Sequence, residues 1–158
     1  MNLQLDDLTI NMSRVDVADI RECWEWLLKD MPKVLMISKL GDMFLEGRDN
    51  GIYWLDTGIG ELNKITDSIS EFQQLLKDDE AVDNWFLPEL ISGLVDSGIT
   101  LDSDEVYSYK KLPLIGGEYS VENLEPTNIS VHFAISGQIA EQVKNLPDGT
   151  PVKIVLKD

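Results

Sequence analysis

Residues 41–58, GDMFLEGRDNGIYWLDTG, decide the fold class of this chain. Two strand-like apolar runs in this stretch flank the tripeptide Asp49-Asn50-Gly51. Asn-Gly supplies the positive φ angles of a type I′ turn, and that turn joins antiparallel strands with a matching twist. The stretch therefore predicts a β-hairpin from about Asp42 to Asp56.

The segment before the hairpin predicts a helix and then a strand. Pro32 ends the helix, because proline does not continue a helical pattern. The run 33–37, KVLMI, is typical of a short buried strand. Trp26 lies off the apolar stripe of the helix, so we expect it to face a second surface. The stripe has helical spacing and comprises Val17, Ile20, Trp24, Leu27, Leu28 and Met31.

Two further helices are predicted after the hairpin. Ser68 and Glu71 have the spacing of a capping box at the start of a helix, and residues 69–76 continue one apolar face. The acids at 78–80 are unfavourable at the C-terminal end of a helix, so a break is predicted there. The next helix is expected from Pro88, a favoured first-turn residue, to Gly98.

The C-terminal part predicts strands separated by a short helix. Residues 102–118 are expected to be irregular, since proline and glycine interrupt them. In 129–135, ISVHFAI, apolar and polar residues alternate, which predicts a strand. Residues 138–145 predict a short helix, and residues 152–156 alternate again as a final strand.

These elements predict one compact α+β domain. The chain has 158 residues, which is the size of a single domain. Its predicted strands occur as hairpins and not as regular βαβ units, which favours a mainly antiparallel sheet packed against several helices. Residues 1–32 are predicted to form an N-terminal helical segment ahead of the main domain at 33–158.

The composition gives a formal net charge of −16, from 13 basic and 29 acidic residues. Each half of the chain carries −8, so the charge belongs to the whole surface. Nucleic-acid and anionic-membrane binding both depend on Lys and Arg, and are disfavoured here. The charge favours a cationic partner, although many cytoplasmic proteins are acidic simply for solubility.

The cysteine and histidine counts exclude several classes of protein. With one cysteine, Cys23, the chain forms no internal disulfide, and with one histidine, His132, it has no two-histidine metal site. No apolar run approaches the ~18 residues of a membrane span. The N-terminus has acids where a secretory signal has bases. We therefore expect a cytoplasmic protein.

No catalytic template is matched in full, so no enzymatic activity, cofactor or metal is predicted. His132 is expected in mid-strand, where a structural role is favoured over that of a general base. Asp56-Thr57-Gly58 resembles an aspartic-protease triplet, but that chemistry needs two such carboxylates. The glycines of 58–60 lack the remainder of a dinucleotide or phosphate-loop motif, and the acidic clusters lack EF-hand spacing.

The region 107–119 concentrates tyrosines and glycines in the segment predicted to be irregular. Tyrosine is enriched in protein interfaces, because its ring buries a large area while its hydroxyl group forms hydrogen bonds. The alternative is that these tyrosines cover the core, with the glycines permitting close backbone approach. The two interpretations are compatible.

Several strings together resemble a bacterial domain family. They are GDMFL, GIYWLDTGIGEL, KITDS, YSYKKLPLIGGEYSVEN and VHFAISGQIAEQVKNLPDGT, within 34–150. The chain resembles the C-terminal domain of type VI secretion immunity proteins, which neutralise a DNase effector. Longer relatives carry an N-terminal module similar to one in some aminoacyl-tRNA synthetases, and residues 17–31 look like its tail.

The resemblance implies a non-enzymatic immunity protein that binds and neutralises a secreted nuclease toxin. A nuclease is cationic around its DNA-binding cleft, so the toxin is the cationic partner that the charge favours. The alternative is a general regulatory protein-interaction module. Residue type alone suggests the partner-binding candidates, namely Asp102, Asp104, Glu105, Tyr107, Tyr109, Glu118 and Tyr119.

Overall fold

A central four-stranded antiparallel sheet organises the molecule, which we describe from a computed structural model for residues 3–157. The strands lie side by side in chain order, so each pairs with the next one along the chain. The α+β class with a mainly antiparallel sheet is therefore confirmed. The strands are β1 (Lys33–Ile37), β2 (Met43–Glu46), β3 (Ile52–Asp56) and β4 (Glu61–Thr66).

The predicted hairpin is formed by β2 and β3, but its turn is not type I′. The amide of Asn50 donates to the carbonyl of Gly47 over 3.0 Å, and Asn50 has a φ of 65° while Gly51 does not have a positive φ. A type I′ turn requires positive φ at both central residues, so that expectation is wrong. The Asp49 carboxylate stabilises the wider turn by accepting from the Gly51 amide.

Helices cover both faces of the sheet. One face packs against α4 to α6, and the other packs against α2, α3 and α7. This arrangement explains why the strands read as apolar runs, because alternate side chains enter two different cores. The helices are α1 (Leu5–Leu8), α2 (Val17–Arg21), α3 (Glu25–Leu28), α4 (Ile69–Leu75), α5 (Asp79–Phe86), α6 (Pro88–Asp96) and α7 (Ile129–Val143).

The two cores differ in composition. Phe44 on β2 lies at the centre of the first core, within 5.1–6.3 Å, centroid to centroid, of four other aromatic rings. Those rings belong to Trp54, Phe72, Trp85 and Phe86. The neighbouring Met43 and Leu45 point to the opposite face, where they pack with Trp24, Leu28 and Phe133.

The N-terminal apolar stripe is confirmed, although the helix is not continuous. Ile20, Trp24, Leu28 and Met31 are all buried in the second core, and a 3-10 turn at Glu22–Trp24 separates α2 from α3. Trp26 is half-buried and stacks on Trp24 with ring centroids 5.7 Å apart. The division of the chain at residue 32 stays a prediction.

The helices after the sheet begin with capping side chains. The Ser68 hydroxyl accepts from the Glu71 amide at the start of α4, as its spacing predicts. The break at 78–80 is also confirmed, but the acids there begin a further helix, α5, which Asp78 caps. Acids are favourable at a helix N-terminus, whereas they are unfavourable at a C-terminus. The predicted helix from Pro88 is α6.

The segment 102–118, expected to be irregular, contains a strand. Residues Glu105–Tyr109 form β5, which pairs with β6 (Leu124–Asn128) in a separate two-stranded antiparallel sheet. The backbone of Tyr107 also donates to the carbonyl of Lys39, which anchors β5 beside the main sheet. Valine and tyrosine favour strands, and this preference outweighs the nearby glycines and proline.

The strand predicted at 129–135 and the short helix after it are one long helix, α7. Val131 and Ile135 are exposed, whereas His132, Ser136 and Gly137 are buried. The buried residues therefore recur with helical spacing, but His132 and Ser136 among them are polar, so a hydrophobicity pattern does not count them as part of a buried face. Alternation over seven residues was a misleading signal for this reason.

The strand predicted at 152–156 is also absent from the structure, which assigns no regular element to residues 151–157. Two glutamine side chains of α7 replace a partner strand there. Gln142 donates to and accepts from the backbone of Val155, and Gln138 does the same with Lys157. The backbone groups of Val155 and Lys157 thus bind side-chain amides and form no strand pairing.

Candidate functional site

The partner-binding candidates fall into two groups at opposite ends of β5. Glu105 begins the strand and Tyr109 ends it, so about 13 Å of extended chain separates them. Asp102 and Asp104 lie beside Glu105, while Glu118 and Tyr119 lie near the other end. The structure therefore does not unite the seven residues in one site.

The acids at the start of β5 are exposed and locally bonded. The Glu105 carboxylate accepts from the Asp102 amide over 2.8 Å, and the carbonyl of Asp104 accepts from the Ile129 amide. Asp102 and Glu105 also line a shallow depression of about 390 Å³ that contains the basic residues Arg14 and Lys39. These acids form a mixed-charge surface.

Tyr107 is a core residue, as the alternative interpretation of the tyrosines expects. Its side chain is 2% exposed, and its hydroxyl donates to the carbonyl of Ile99 over 2.6 Å. Alternation along β5 places Tyr107 and Tyr109 on the same face, but Tyr109 stands at the strand end, where the core opens. Tyr107 therefore has no free ring surface for a partner.

Tyr109 and Tyr119 form one wall of a cavity that we call the acidic pocket. The two rings meet edge to face with centroids 5.6 Å apart. Tyr109 is half-buried, whereas Tyr119 is 51% exposed and stands at the mouth. The cavity has a volume of about 230 Å³ and is lined by Leu40, Asp42, Trp54, Asp56, Asn84, Trp85, Leu87, Tyr109 and Tyr119.

Two carboxylates enter this pocket from the ends of the central hairpin. Met43 pairs with Leu55 across β2 and β3, so the same register places Asp42 opposite Asp56. Like charges directly opposite each other across a strand pair are destabilising. The pair of Asp42 and Asp56 therefore lowers the stability of the folded state at this end of the hairpin.

Hydrogen bonds hold Asp42 at the base of the pocket. Its Oδ1 accepts from the amide and hydroxyl groups of Thr57 over 3.0 and 2.9 Å, and its Oδ2 accepts from the Trp54 indole over 3.2 Å. Asp42 is 6% exposed. Burial, and next the charge of Asp56, raise its pKa well above the usual range, against these hydrogen bonds.

The pKa values of the neighbouring groups in the pocket are also raised. Burial raises the pKa of Asp56, although its carboxylate accepts from the Gly58 amide over 3.0 Å. Burial and the two carboxylates also raise the pKa of the Tyr109 and Tyr119 hydroxyls. Among residues 3–157, neither carboxylate forms an ion pair with a lysine or arginine.

Leu87 forms part of the pocket wall and has a strained backbone. Its φ of 48° and ψ of 59° lie in the left-handed region, at the junction where α5 ends and α6 begins with Pro88. A bulky residue in this region costs of order 1–3 kcal/mol, and such strain clusters at functional sites. Asn84 and Trp85, in the last turn of α5 before this junction, also line the pocket.

Further acids border the pocket. Leu87 and Tyr119 also line an adjacent shallow groove with Asp83 and Glu89. A larger groove of about 1040 Å³ continues from there between α1 and α4 to α6, with Asp79 and Asp96 along it. Acidic side chains thus continue from the pocket along the neighbouring surface.

His132 lies behind the pocket, buried on α7 and not on the polar face of a strand as expected. Its Nε2 donates to the carbonyl of Gly41 over 2.8 Å, so the neutral ring carries its proton on Nε2 and its Nδ1 accepts from the Ser108 hydroxyl over 2.9 Å. Burial lowers its pKa to about 4. The neutral ring fastens α7 to the turn between β1 and β2.

The remaining chemically reactive groups are separate from this pocket. Cys23 is half-buried in the 3-10 turn after α2, and burial raises the pKa of its thiol. Within residues 3–157, no three His, Cys, Asp or Glu side chains are grouped so that they could hold a metal ion. No helix in this range is long and apolar enough to cross a membrane.

Sequence reasoning identified Tyr109 and Tyr119 but missed the rest of the pocket. Asp42 and Asp56 served only as the bounds of the hairpin, and Trp54 only as part of one of its two apolar runs. The available signal was the pairing itself, because a hairpin that closes with an acid opposite an acid conflicts with ordinary cross-strand preference. Asn84 and Trp85 carry no such signal, since α5 was not predicted.

Comparison with known proteins gives one family match. Residues 66–140 match the family model described as "T6SS immunity protein Tdi1, C-terminal", where T6SS denotes the type VI secretion system. The matched segment contains α4 to α6, β5, β6 and most of α7. It supplies Asn84, Trp85, Leu87, Tyr109 and Tyr119 to the pocket, while the hairpin that carries the two aspartates precedes it.

The other comparisons add less. No curated protein matches the chain. The crystal structure of Atu4351 from Agrobacterium tumefaciens aligns with 78% of this chain at 14% identity and a TM-score of 0.49. The alignment covers 65% of that protein's chain. Residues 66–140, just under half of this chain, are thus similar to the C-terminal domain family of the type VI secretion immunity protein Tdi1.

Proposed function

We propose that this protein binds a nuclease toxin delivered by a type VI secretion system and neutralises it without performing a reaction itself. The family match of residues 66–140 carries the proposal, because the family is one of immunity proteins. The toxin acts inside the recipient cell on DNA, so the proposed site of action is the cytoplasm.

The charge of the chain supports a cationic nuclease as the toxin. A nuclease must attract a phosphate backbone, and its cleft is therefore basic. A net charge of −16, spread evenly over both halves of the chain, attracts such a surface from a distance. Steering of this kind raises association rates by roughly 10- to 1000-fold.

Affinity requires an anchor in addition to diffuse charge, because exposed rim charges contribute little to binding energy. Tyr119 is the candidate anchor, since it is 51% exposed at the mouth of a pocket and belongs to the residue type most enriched in binding hot spots. Glu118 precedes it and is also exposed. Asp102, Asp104 and Glu105 are then peripheral charges that act on the approach of the toxin.

Growth rescue tests the proposal. Each nuclease-like open reading frame near the gene is expressed in a sensitive host with and without this protein. We expect one toxin to be neutralised and to co-purify with the protein. A failure to protect against every neighbouring toxin contradicts the proposal and favours the alternative of a regulatory interaction module.

A further inference from the structure

The acidic pocket combines features that together select one kind of ligand. Asp42 and Asp56 supply two carboxylates on one side, and Trp54, Trp85 and Tyr119 supply aromatic surfaces around them. Carboxylates attract cations, and the faces of aromatic rings attract them as well. A volume of about 230 Å³ is large enough for a single side chain and too small for a folded segment.

The pocket holds two acidic side chains that have no basic partner among residues 3–157, and a cationic ligand would supply one. Asp42 is nine-tenths buried, and no lysine or arginine in the described range 3–157 pairs with it or with Asp56. A buried charge without a counter-ion is costly, whereas a charge paired across an interface is tolerated. The strained turn at Leu87, which shapes one wall, is a second cost that the fold retains at this place.

The chemistry of the walls favours arginine over other cations. A metal ion needs several oxygen ligands in a close shell, and no group of three suitable side chains exists among residues 3–157. A lysine ammonium group is compact and strongly hydrated. A guanidinium group is planar, less hydrated, stacks on aromatic rings and presents several N–H donors to carboxylates.

We propose that the acidic pocket receives the guanidinium group of an arginine side chain of the partner, held between the carboxylates of Asp42 and Asp56 and the ring of Tyr119. The inference rests on the proposed function for the source of that arginine, which is the toxin. Nucleases bind phosphate with arginine, so the two carboxylates occupy the place that a phosphate group takes on the nucleic acid.

The pocket is tested first without any toxin. The full chain is labelled with ¹⁵N and titrated at constant ionic strength with N-acetyl-arginine amide, whose only charge is the guanidinium group. We expect the indole N–H signals of Trp54 and Trp85 to shift, with millimolar affinity, while those of Trp24 and Trp26 do not. N-acetyl-citrulline amide has nearly the same shape without the charge and is expected to bind at least about tenfold more weakly.

Variants assign the binding to the pocket. Asp56→Asn removes one carboxylate and is expected to weaken the arginine probe about tenfold, the scale of one charge-assisted hydrogen bond. Glu141→Gln removes an equal charge from an exposed residue of α7, which packs on the face of the sheet opposite the pocket, and should change affinity less than about twofold. Tyr119→Ala, at an exposed position that does not threaten folding, should also weaken the probe.

Each result has one interpretation. Equal shifts with the arginine and citrulline amides, equal affinities for Asp56→Asn and Glu141→Gln, or no shift at either pocket tryptophan would overturn the inference. Growth rescue by these variants separates it from the proposed function. If the wild-type protein protects and Asp56→Asn and Tyr119→Ala protect equally well, the pocket inference fails while immunity stands. If the wild type does not protect, immunity fails, and the probe titration still decides whether the pocket binds guanidinium.

Discussion

The Nε2 atom of His132 lies 2.8 Å from the carbonyl oxygen of Gly41, so that the buried imidazole of α7 packs directly on the turn between β1 and β2. Gly41 has a φ of 76°, and a Cβ atom at this position would overlap the His132 ring. Gly41→Ala therefore combines backbone strain with overpacking. We expect a loss of about 2–4 kcal/mol in the free energy of unfolding, measured by urea denaturation.

Gly98→Ala separates the two causes. Gly98 has nearly the same φ, 78°, but nothing lies within 4 Å of where its Cβ would stand. This control should cost only about 1 kcal/mol. Equal losses for the two variants would show that the position of His132 contributes nothing beyond the backbone.

His132 also predicts a dependence of stability on pH. Its pKa is about 4 in the folded protein because it is buried, and 6.5 when unfolded. The unfolded state thus binds the proton more readily between these values, so the contribution of the neutral ring is complete above pH 6.5 and is lost as the pH falls towards 4. The limiting slope is about 1.4 kcal/mol per pH unit.

Comparison with His132→Gln isolates this effect from other titrating groups. Glutamine can donate to the Gly41 carbonyl and accept from the Ser108 hydroxyl, but it does not titrate. The variant should be less stable at pH 7, and its deficit should narrow between pH 6.5 and 4 in denaturant unfolding. A deficit that is constant with pH would contradict a buried neutral histidine.

The sequence predicts an element well where hydrophobicity and local chemistry agree. The hairpin follows from two apolar runs around Asn50, and the start of α4 from the capping serine at 68. Prediction from the sequence fails where the buried face of an element includes polar residues. In α7, His132 and Ser136 are buried because they find hydrogen-bond partners across the fold, and no local pattern discloses those partners.

The candidate site was harder to predict for a related reason. Tyr119 stands out by residue type, whereas Asp42 and Asp56 become a pair only through the register of the hairpin. Trp85 joins them through the packing of α5 on Phe44 of the sheet, which is a tertiary feature. The site is therefore formed by packing between elements that are distant in the chain, and only its exposed tyrosine wall lies in one sequence motif.

We expect the Asp56 carboxylate to lower the free energy of unfolding at pH 7, as a group that serves binding and not folding would. Burial raises its pKa, so the folded protein holds a proton there more tightly than the unfolded chain, and stability falls as the pH rises from about 3.8 through the folded pKa. Asp56→Asn removes this penalty while its side-chain oxygen still accepts from the Gly58 amide. We expect a rise in Tm at pH 7 of roughly 3 °C, the shift that about 1 kcal/mol gives in a domain of this size.

The pH dependence of that rise is the stricter measurement. The advantage of Asp56→Asn should have largely disappeared by about pH 3, where the wild-type carboxylate is mostly protonated in both states. An advantage that persists at pH 3, or a lower Tm at pH 7, would show that the carboxylate stabilises the fold and is not held in an unfavourable environment.

The net charge of −16 predicts that association with the toxin depends on ionic strength. Long-range attraction accelerates encounter, and salt screens it beyond a Debye length of about 10 Å at 0.1 M. Raising salt from about 0.05 to 0.5 M should therefore slow the association rate by tenfold or more, while the dissociation rate, set by close contacts in the interface, changes much less.

Stopped-flow or surface-binding kinetics with the toxin identified by growth rescue measure both rates. Because Glu141→Gln removes one exposed charge far from the pocket, it should reduce only the association rate, whereas Tyr119→Ala should raise the dissociation rate. An association rate that is indifferent to salt would remove electrostatic steering from the mechanism and leave recognition to the pocket and its surrounding contacts.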